Sequence, residues 1–167
     1  MLSGGDERSI GRAGEVVELV RREPKAAAEV IACLWDPDRC VRMRAADVAE
    51  KVSREQPVLI EPYRKTLLGL LTEETQPAVQ WHLTAILPRL RLTRAECVRA
   101  ATKFRRYLES SSSIVKTSAM QGLFDLTTID DSLRPMVLDL IRSLTRTGTP
   151  AMRARGRILL KQLEAGG

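Results

Sequence analysis

The sequence offers few side chains that could perform acid–base or nucleophilic chemistry. His82 is its only histidine, and a serine or cysteine nucleophile needs a nearby base to activate it. The adjacent acidic pairs, Glu73-Glu74 and Asp130-Asp131, fall in predicted turns and suit solvated capping roles better than acid–base work. The glycines form no phosphate-binding loop, and no cysteine or histidine has the spacing of metal ligands. We therefore expect no catalytic residues, no metal and no cofactor.

The composition favours a protein made of closely packed helices. Hydrophobic residues make up 44% of the 167 residues and aromatic residues only 4%, so alanine and leucine must supply the core. Sheets depend more on β-branched and aromatic side chains. The net charge of +6, from 27 basic and 21 acidic residues, favours an acidic partner, either a protein surface or nucleic acid.

The cysteines and the apolar pattern indicate a cytoplasmic protein that does not enter a membrane. Cys33, Cys40 and Cys97 cannot all pair within the chain, and we expect three reduced thiols. No segment is long and apolar enough to span a bilayer. The first residues carry glycines and charges where a signal peptide needs an apolar run.

A repeat organises most of the chain. Four segments align without gaps, beginning at Val41 (VRMRAADVAEKV), Val79 (VQWHLTAILPRL), Val115 (VKTSAMQGLFDL) and Met152 (MRARGRILLKQL), and their starts lie 38, 36 and 37 residues apart. Counting the first residue of each as zero, positions zero, four, seven, eight and eleven are apolar or small. This spacing predicts one buried stripe along an α-helix.

A second apolar helix precedes each of these segments, so the repeat is a helix pair. The breaks between paired helices contain Asp, Ser, Thr and Pro, which favour helix starts. We predict a single domain, 1–167, with an N-terminal capping helix at 6–23 and repeats at about 24–56, 57–92, 93–130 and 131–165. Helix pairs of about 37 residues stacked side by side form an α-solenoid.

The second helices resemble those of HEAT repeats. That family typically has an Asp in the turn between the helices and a Val-Arg or Val-Lys pair at the start of the second helix. The resemblance is carried by Asp36, Val41 and Arg42 in repeat one, and the basic residue recurs as Lys116 and Arg153. It implies an all-α fold, a right-handed α-α superhelix of about four HEAT-like helix pairs. Asp36, Arg42, Lys116 and Arg153 would form a structural ladder in which each basic side chain reaches an acceptor in a turn.

The resemblance also implies a place for a partner. In HEAT-like solenoids the second helices line the concave surface, and positions two, five, six and nine would face it. Those positions include several apolar side chains, which often mark interaction sites. We predict a non-catalytic scaffold or adaptor that binds a protein or peptide there, through Met43, Asp47, Trp81, Met120, Phe124 and Arg157. Alternatively, these side chains pack against each other or against the first helices.

A nucleic-acid partner is the second hypothesis. Arg99, Lys103 and Arg106 are spaced four and three apart and share one helix face, which could contact phosphates. The chain is also similar in charge to HEAT-like alkylpurine DNA glycosylases, which cradle damaged DNA with aromatic and acidic residues. Trp81, Asp47 and Arg157 would then serve that role, although no catalytic Asp can be matched. The repeat spacing counts against bilin lyase-like proteins, whose repeats are usually shorter.

Overall fold

The chain is all-α, as predicted. The computed structural model describes Leu2 and residues 12–165, and these contain helices and no strand. The α-helices of the described residues are α1 to α9, in order Ala13–Arg22, Ala26–Ala32, Arg39–Glu55, Arg64–Glu73, Pro77–Ile86, Arg94–Tyr107, Ser113–Thr127, Arg134–Thr147 and Pro150–Ala165. Short 3₁₀ helices lie at Cys33–Trp35, Pro57–Leu59, Glu61–Tyr63, Leu87–Arg89 and Asp131–Leu133.

Each predicted repeat contains its two helices. The pairs are α2 with α3, α4 with α5, α6 with α7, and α8 with α9, and α1 precedes them. The part of the predicted capping helix at 6–11 lies outside the described residues. The chain divides into two compact units at Arg91 and Leu92, beside the predicted boundary between the second and third repeats. We call the described residues up to Arg91 unit 1 and those from Leu92 unit 2. The single domain, 1–167, stays a prediction.

Local capping explains where the second helices begin. Asp38 precedes α3, and its carboxylate accepts a hydrogen bond from the backbone N of Cys40 at 2.7 Å. Ser112 does the same for α7, accepting from the backbone N of Val115 at 3.4 Å. Pro77 begins α5, where its missing N–H leaves no hydrogen bond unmade. These residues come from the turns in which the sequence predicted helix starts.

The predicted apolar stripe is buried along the second helices, and in the second repeat it continues through Leu87 and Leu90 beyond the end of α5. Nineteen of its twenty positions are buried, and Leu160 alone among them is half-buried. In unit 1, α3 packs against α1, α2 and α5. In unit 2, α7 packs against α6, α8 and α9. In both units, therefore, successive second helices contact each other as well as their own first helix.

A turn contact recurs in the two helix pairs of unit 1. The Arg42 guanidinium donates to the backbone O of Asp36 at 2.8 Å, six residues earlier. Gln80 stands at the equivalent position of the next pair, and its amide donates to the backbone O of Glu74 at 2.9 Å, also six residues earlier. The acceptor in both cases is a carbonyl that follows the first helix of the pair. Each contact ties the second helix to the turn that leads into it.

The remaining members of the predicted ladder behave differently. The Asp36 carboxylate accepts from the backbone N of Asp38 at 2.8 Å and so shapes the turn itself. Lys116 is half-buried and Arg153 is exposed, and neither side chain has a hydrogen bond or ion pair within the described part of the chain. The ladder is therefore absent from unit 2, and its basic side chains there are left on the surface.

Candidate functional site

The sole histidine is held in the interior of unit 1. His82 is 3% exposed, its Nδ1 has no hydrogen-bond partner, and its ring centroid lies 3.5 Å from that of Trp81. Burial lowers the pKa of His82 to about 4, against smaller opposing effects of the nearby Asp47 and Glu50 carboxylates. The imidazole is therefore neutral near pH 7 and is covered by protein. A substrate at the surface could not exchange a proton with it.

The predicted partner-binding residues of unit 1 are largely engaged with the protein itself. Met43 and Trp81 are half-buried, and Trp81 stacks on His82. The Asp47 carboxylate pairs with the ammonium of Lys51 at 2.7 Å, and the Asp47 side chain is only 17% exposed. These side chains therefore pack and pair within unit 1 and offer little free surface.

Met120 follows the alternative in which the predicted partner-binding side chains pack within the protein. Its side chain is fully buried, and Phe124 is half-buried. The physical reason is that α7 contacts three other helices of unit 2, so residues beside its apolar stripe are buried as well as the stripe itself. Arg157, in contrast, is exposed on α9. An apolar groove with Met120 at its centre is thus replaced by a packed interior.

The buried carboxylate of Glu50 on α3 pairs with two arginines that are themselves exposed or half-buried. It accepts from the Arg54 guanidinium at 2.7 Å and from Arg89 Nη2 at 2.8 Å. Arg89 Nη1 also donates to Glu50 O and to Ser53 Oγ, each at 3.0 Å. Burial raises the pKa of Glu50, but the hydrogen bonds from Arg54 and Arg89 outweigh it and hold that pKa below its usual value. Arg89 therefore stabilises unit 1 through its contacts with Glu50 and Ser53.

The net charge of the chain belongs entirely to one side of the unit boundary. The sequence up to Arg91 contains fourteen basic and fourteen acidic residues, whereas the sequence from Leu92 onward contains thirteen basic and seven acidic residues. The difference of six equals the net charge of the whole chain. The excess of positive charge therefore lies in the second part of the chain, and any electrostatic attraction of an anion would be stronger there than in the first part.

Most of that excess charge is unpaired. Within the described residues, eight basic side chains of unit 2 have no hydrogen bond, ion pair or ring contact: Arg99, Arg105, Arg106, Lys116, Arg146, Arg153, Arg157 and Lys161. Others do pair, as Arg94 does with Asp130 at 3.5 Å and Arg142 with Glu164 at 3.4 Å. A guanidinium carries five N–H donors, so the unpaired side chains offer many donors to a ligand.

Three of these residues form a stripe on α9. Arg153, Arg157 and Lys161 are spaced four apart and are all exposed, so they follow one face of the helix. We call these three the basic stripe. Ile158 lies beside it and is 53% exposed, which makes it one of the few large apolar side chains on the described surface. The stripe joins Arg157, which was predicted to contact a partner, to Arg153, which was predicted to be structural.

The predicted phosphate-contacting residues lie together on the outer face of α6. Arg99 and Arg106 are exposed, and Lys103 is half-buried with its ammonium 5.6 Å from the ring centroid of Tyr107. That distance is within the range of a cation–π contact, so Lys103 is partly engaged. Arg99 and Arg106 keep their hydrogen-bond donors available.

Three further features bear on the function. Among the described residues, no group of three or more His, Cys, Asp or Glu side chains could hold a metal ion. Within the same part of the chain, no helix combines the length and apolar character needed to cross a membrane. All three cysteines are free thiols, and Cys97 is buried.

A comparison of the sequence with models of known protein families finds no matching family, and a comparison with curated proteins finds no significant relative.

Proposed function

We propose that the chain is a non-catalytic binding module, and that the basic surface of unit 2 binds an acidic segment of another protein. The proposal rests on the eight unpaired basic side chains of unit 2. The net charge of the sequence from Leu92 onward equals that of the whole chain. The proposal keeps the protein partner expected from the sequence but moves its binding surface. A cytoplasmic location belongs to the same proposal and is supported by the free thiols.

A HEAT-like solenoid is the scaffold of this proposal. Two features support it: second helices contact each other in both units, α3 with α5 and α7 with α9, and the bond from Arg42 to its turn recurs at Gln80. Stacked helix pairs bury a continuous core and leave their outer residues free to vary. Such a scaffold can display a charged surface without altering its core.

The surroundings of the basic stripe favour a protein partner. Ile158 and Ala154 are exposed beside it, so a partner can bury apolar surface there as well as pair its carboxylates. Single-stranded nucleic acid binds by stacking on aromatic rings. In unit 2, Phe104 and Tyr107 are buried and Phe124 is half-buried, so the rings are poorly placed for stacking.

Duplex nucleic acid is the second candidate, and a specific observation favours it. Five of the unpaired side chains on α6 and α9 are arginines: Arg99, Arg105, Arg106, Arg153 and Arg157. Arginine pairs with phosphate in a bidentate manner and needs no base contact to bind a duplex backbone. The glycosylase hypothesis has less support, because Asp47 is paired with Lys51 and the Trp81 ring lies against His82, so neither side chain is free to contact DNA.

A binding titration with matched charge variants tests the proposal. The probes are a fluorescein-labelled oligoglutamate peptide and a labelled mixed-sequence duplex DNA, each at low and moderate salt. The test variant carries Arg153→Gln, Arg157→Gln and Lys161→Gln. The control carries Arg22→Gln, Lys25→Gln and Lys65→Gln, which removes the same charge from exposed residues of unit 1. We expect the test variant to bind the peptide about tenfold more weakly and the control to match the wild type within about twofold.

The alternatives give different results. Equal weakening in both variants would show that only the net charge matters and would contradict a site on unit 2. Tighter binding of the duplex than of the peptide, with a steep salt dependence, would favour the nucleic-acid candidate. Failure of both probes to bind the wild type at low salt would remove both candidates.

A further inference from the structure

A cleft lies between α6 and α8 within unit 2. Its floor is apolar and is formed by Leu108, Leu140 and Leu144, which are half-buried. Its rim carries Arg105, Arg106 and Glu109, all exposed. The volume of about 450 Å³ lies within the range of sites that hold a small ligand or a few side chains of a peptide.

The leucines of α8 explain why this cleft stays open. Val137 and Ile141 are the buried residues of that helix, and Leu140 and Leu144 stand next to them at a spacing of four. The apolar side of α8 is thus larger than the part that neighbouring helices cover. Leu140 and Leu144 keep part of their side chains in contact with water, which is unfavourable unless a ligand covers them.

The rim adds a charge preference to the apolar floor. Arg105 and Arg106 lie in the last turn of α6, where the helix dipole favours cations. Neither guanidinium has a hydrogen bond or ion pair with another described residue. Glu109 contributes one opposing carboxylate, so two positive charges face one negative charge around the leucines.

We propose that this cleft binds the apolar anchor of the acidic partner segment, with leucine-like side chains on the floor and carboxylates on Arg105 and Arg106. The inference rests on the proposed function, because its occupant is the acidic protein segment described there. Charge complementarity selects that occupant: a cationic segment would meet two unpaired arginines, and a purely apolar one would leave them unpaired. The basic stripe attracts acidic chains in general, whereas the cleft selects those with an apolar anchor.

Two peptides of equal charge separate the two contributions. Both are fluorescein-labelled oligoglutamates, one with two adjacent leucines at its centre and the other with two alanines in their place. We expect the leucine peptide to bind about tenfold more tightly, since burying two leucines gains more than burying two alanines. At moderate salt the ratio should persist while both affinities fall, because screening weakens the ionic contacts and leaves the apolar contact.

Two variants locate the preference in the cleft. Thr102 lines it and is exposed, so Thr102→Trp should fill it with little strain and reduce the ratio between the peptides to near one. The matched control is Thr66→Trp on α4, also exposed, which should keep the ratio. Arg105→Gln with Arg106→Gln should weaken both peptides and leave the ratio in place.

The outcomes distinguish this inference from the proposed function. Equal binding of the two peptides to the wild type would overturn the cleft while leaving an acidic partner in place. An unchanged ratio in Thr102→Trp, with the helical circular dichroism of the wild type, would also overturn it. Failure of both peptides to bind the wild type at low salt would remove the inference together with the proposed function.

Discussion

The two units use the same kind of helix pair but treat their charges in opposite ways. In unit 1 the basic side chains mostly meet acceptors of their own unit: Arg42 meets a turn carbonyl, Lys51 meets Asp47, and Arg54 and Arg89 meet Glu50. In unit 2 eight basic side chains meet none within the described residues. Packing of the second helices is alike in both. Unit 1 therefore pairs most of its basic side chains internally, whereas unit 2 leaves them unpaired, as the proposed binding of an acidic segment requires.

The same contrast appears at equivalent positions of the repeat. Arg42 and Arg153 occupy the same position in the first and fourth repeats. Arg42 is half-buried and bonded to the turn, and Arg153 is exposed without a bond within the described residues. A repeat position can therefore lose its structural contact and become exposed while the apolar stripe behind it stays buried.

The largest expected effect concerns the network of unit 1. Glu50→Ala should lower the free energy of unfolding by about 3 kcal/mol, because the half-buried Arg89 guanidinium loses the buried carboxylate with which it pairs. Helix propensity would act in the opposite direction, since alanine is the best helix former. Urea unfolding followed by tryptophan fluorescence measures the loss in unit 1, because Trp35 and Trp81 are the only tryptophans.

Glu73→Ala is the matched control for that substitution. Glu73 is an exposed carboxylate of the same unit with no hydrogen bond or ion pair among the described residues, so its loss should change the free energy by less than about 0.5 kcal/mol. Similar values for the two variants would mean that the Glu50 network contributes no more than a surface charge, and the contrast between the units would fail.

The next effect depends on pH and should be confined to unit 1, which holds the only histidine. The folded state lowers the pKa of His82 to about 4 by burial, from an ordinary value of 6.5. As the pH falls below 6.5, the unfolded state takes up the proton first, so stability is lost until the pH reaches the folded pKa. Between pH 7 and pH 5 the loss should be about 2 kcal/mol. Urea unfolding at the two pH values measures it.

A variant without the imidazole isolates this effect from the carboxylates. His82→Leu should have a smaller change in stability between pH 7 and pH 5, by about 2 kcal/mol. The Glu50 carboxylate acts in a lower window: its folded pKa is lowered, so its contribution is present above the ordinary pKa of glutamate and is lost below it. The same pH dependence in wild type and His82→Leu would contradict a buried neutral histidine.

Much of the fold could be predicted from the sequence because the signal is local. The apolar stripe repeats within each helix, and the residues that start helices stand beside it, so the burial of nineteen stripe positions follows from spacing alone. The residues at the edges of the stripe could not be predicted. Met120 and Glu50 are buried because α7 and α3 each contact three other α-helices of their unit, and the number of neighbours is a property of the assembled fold.

The candidate site was predictable in part for the same reason. Arg99, Arg106 and Arg157 were expected to be available to a partner and are exposed. Arg89 is paired instead, because its partner Glu50 lies 39 residues earlier, and such a contact leaves no local signal in the sequence. The cleft was missed, although the width of the apolar arc on α8, where Leu140 and Leu144 stand beside Val137 and Ile141, could have indicated an uncovered surface.

The smallest expected effect compares a glycine in each unit. An added Cβ at Gly69 on α4 would meet nothing within 4 Å, so Gly69→Ala should stabilise the helix by about 1 kcal/mol. At Gly156 on α9 the same atom would clash with Thr145 Oγ1 and lie 3.2 Å from its Cβ. Gly156→Ala should therefore destabilise by about 1 kcal/mol after the gain in helix propensity is included. Urea unfolding followed by far-ultraviolet circular dichroism measures both.

The opposite signs follow from how closely the paired helices approach. Gly156 stands at position four of the repeat, within the buried stripe, and a Cβ added there would lie 3.4 Å from the Thr145 Cα on α8. A side chain there has to push α9 away from α8, which form the last helix pair of unit 2. Stabilisation by both substitutions would mean that this pair separates at little cost. The basic stripe on α9 would then lack a fixed support, because among the described residues it is the packing of the opposite helix face that holds its three side chains in position.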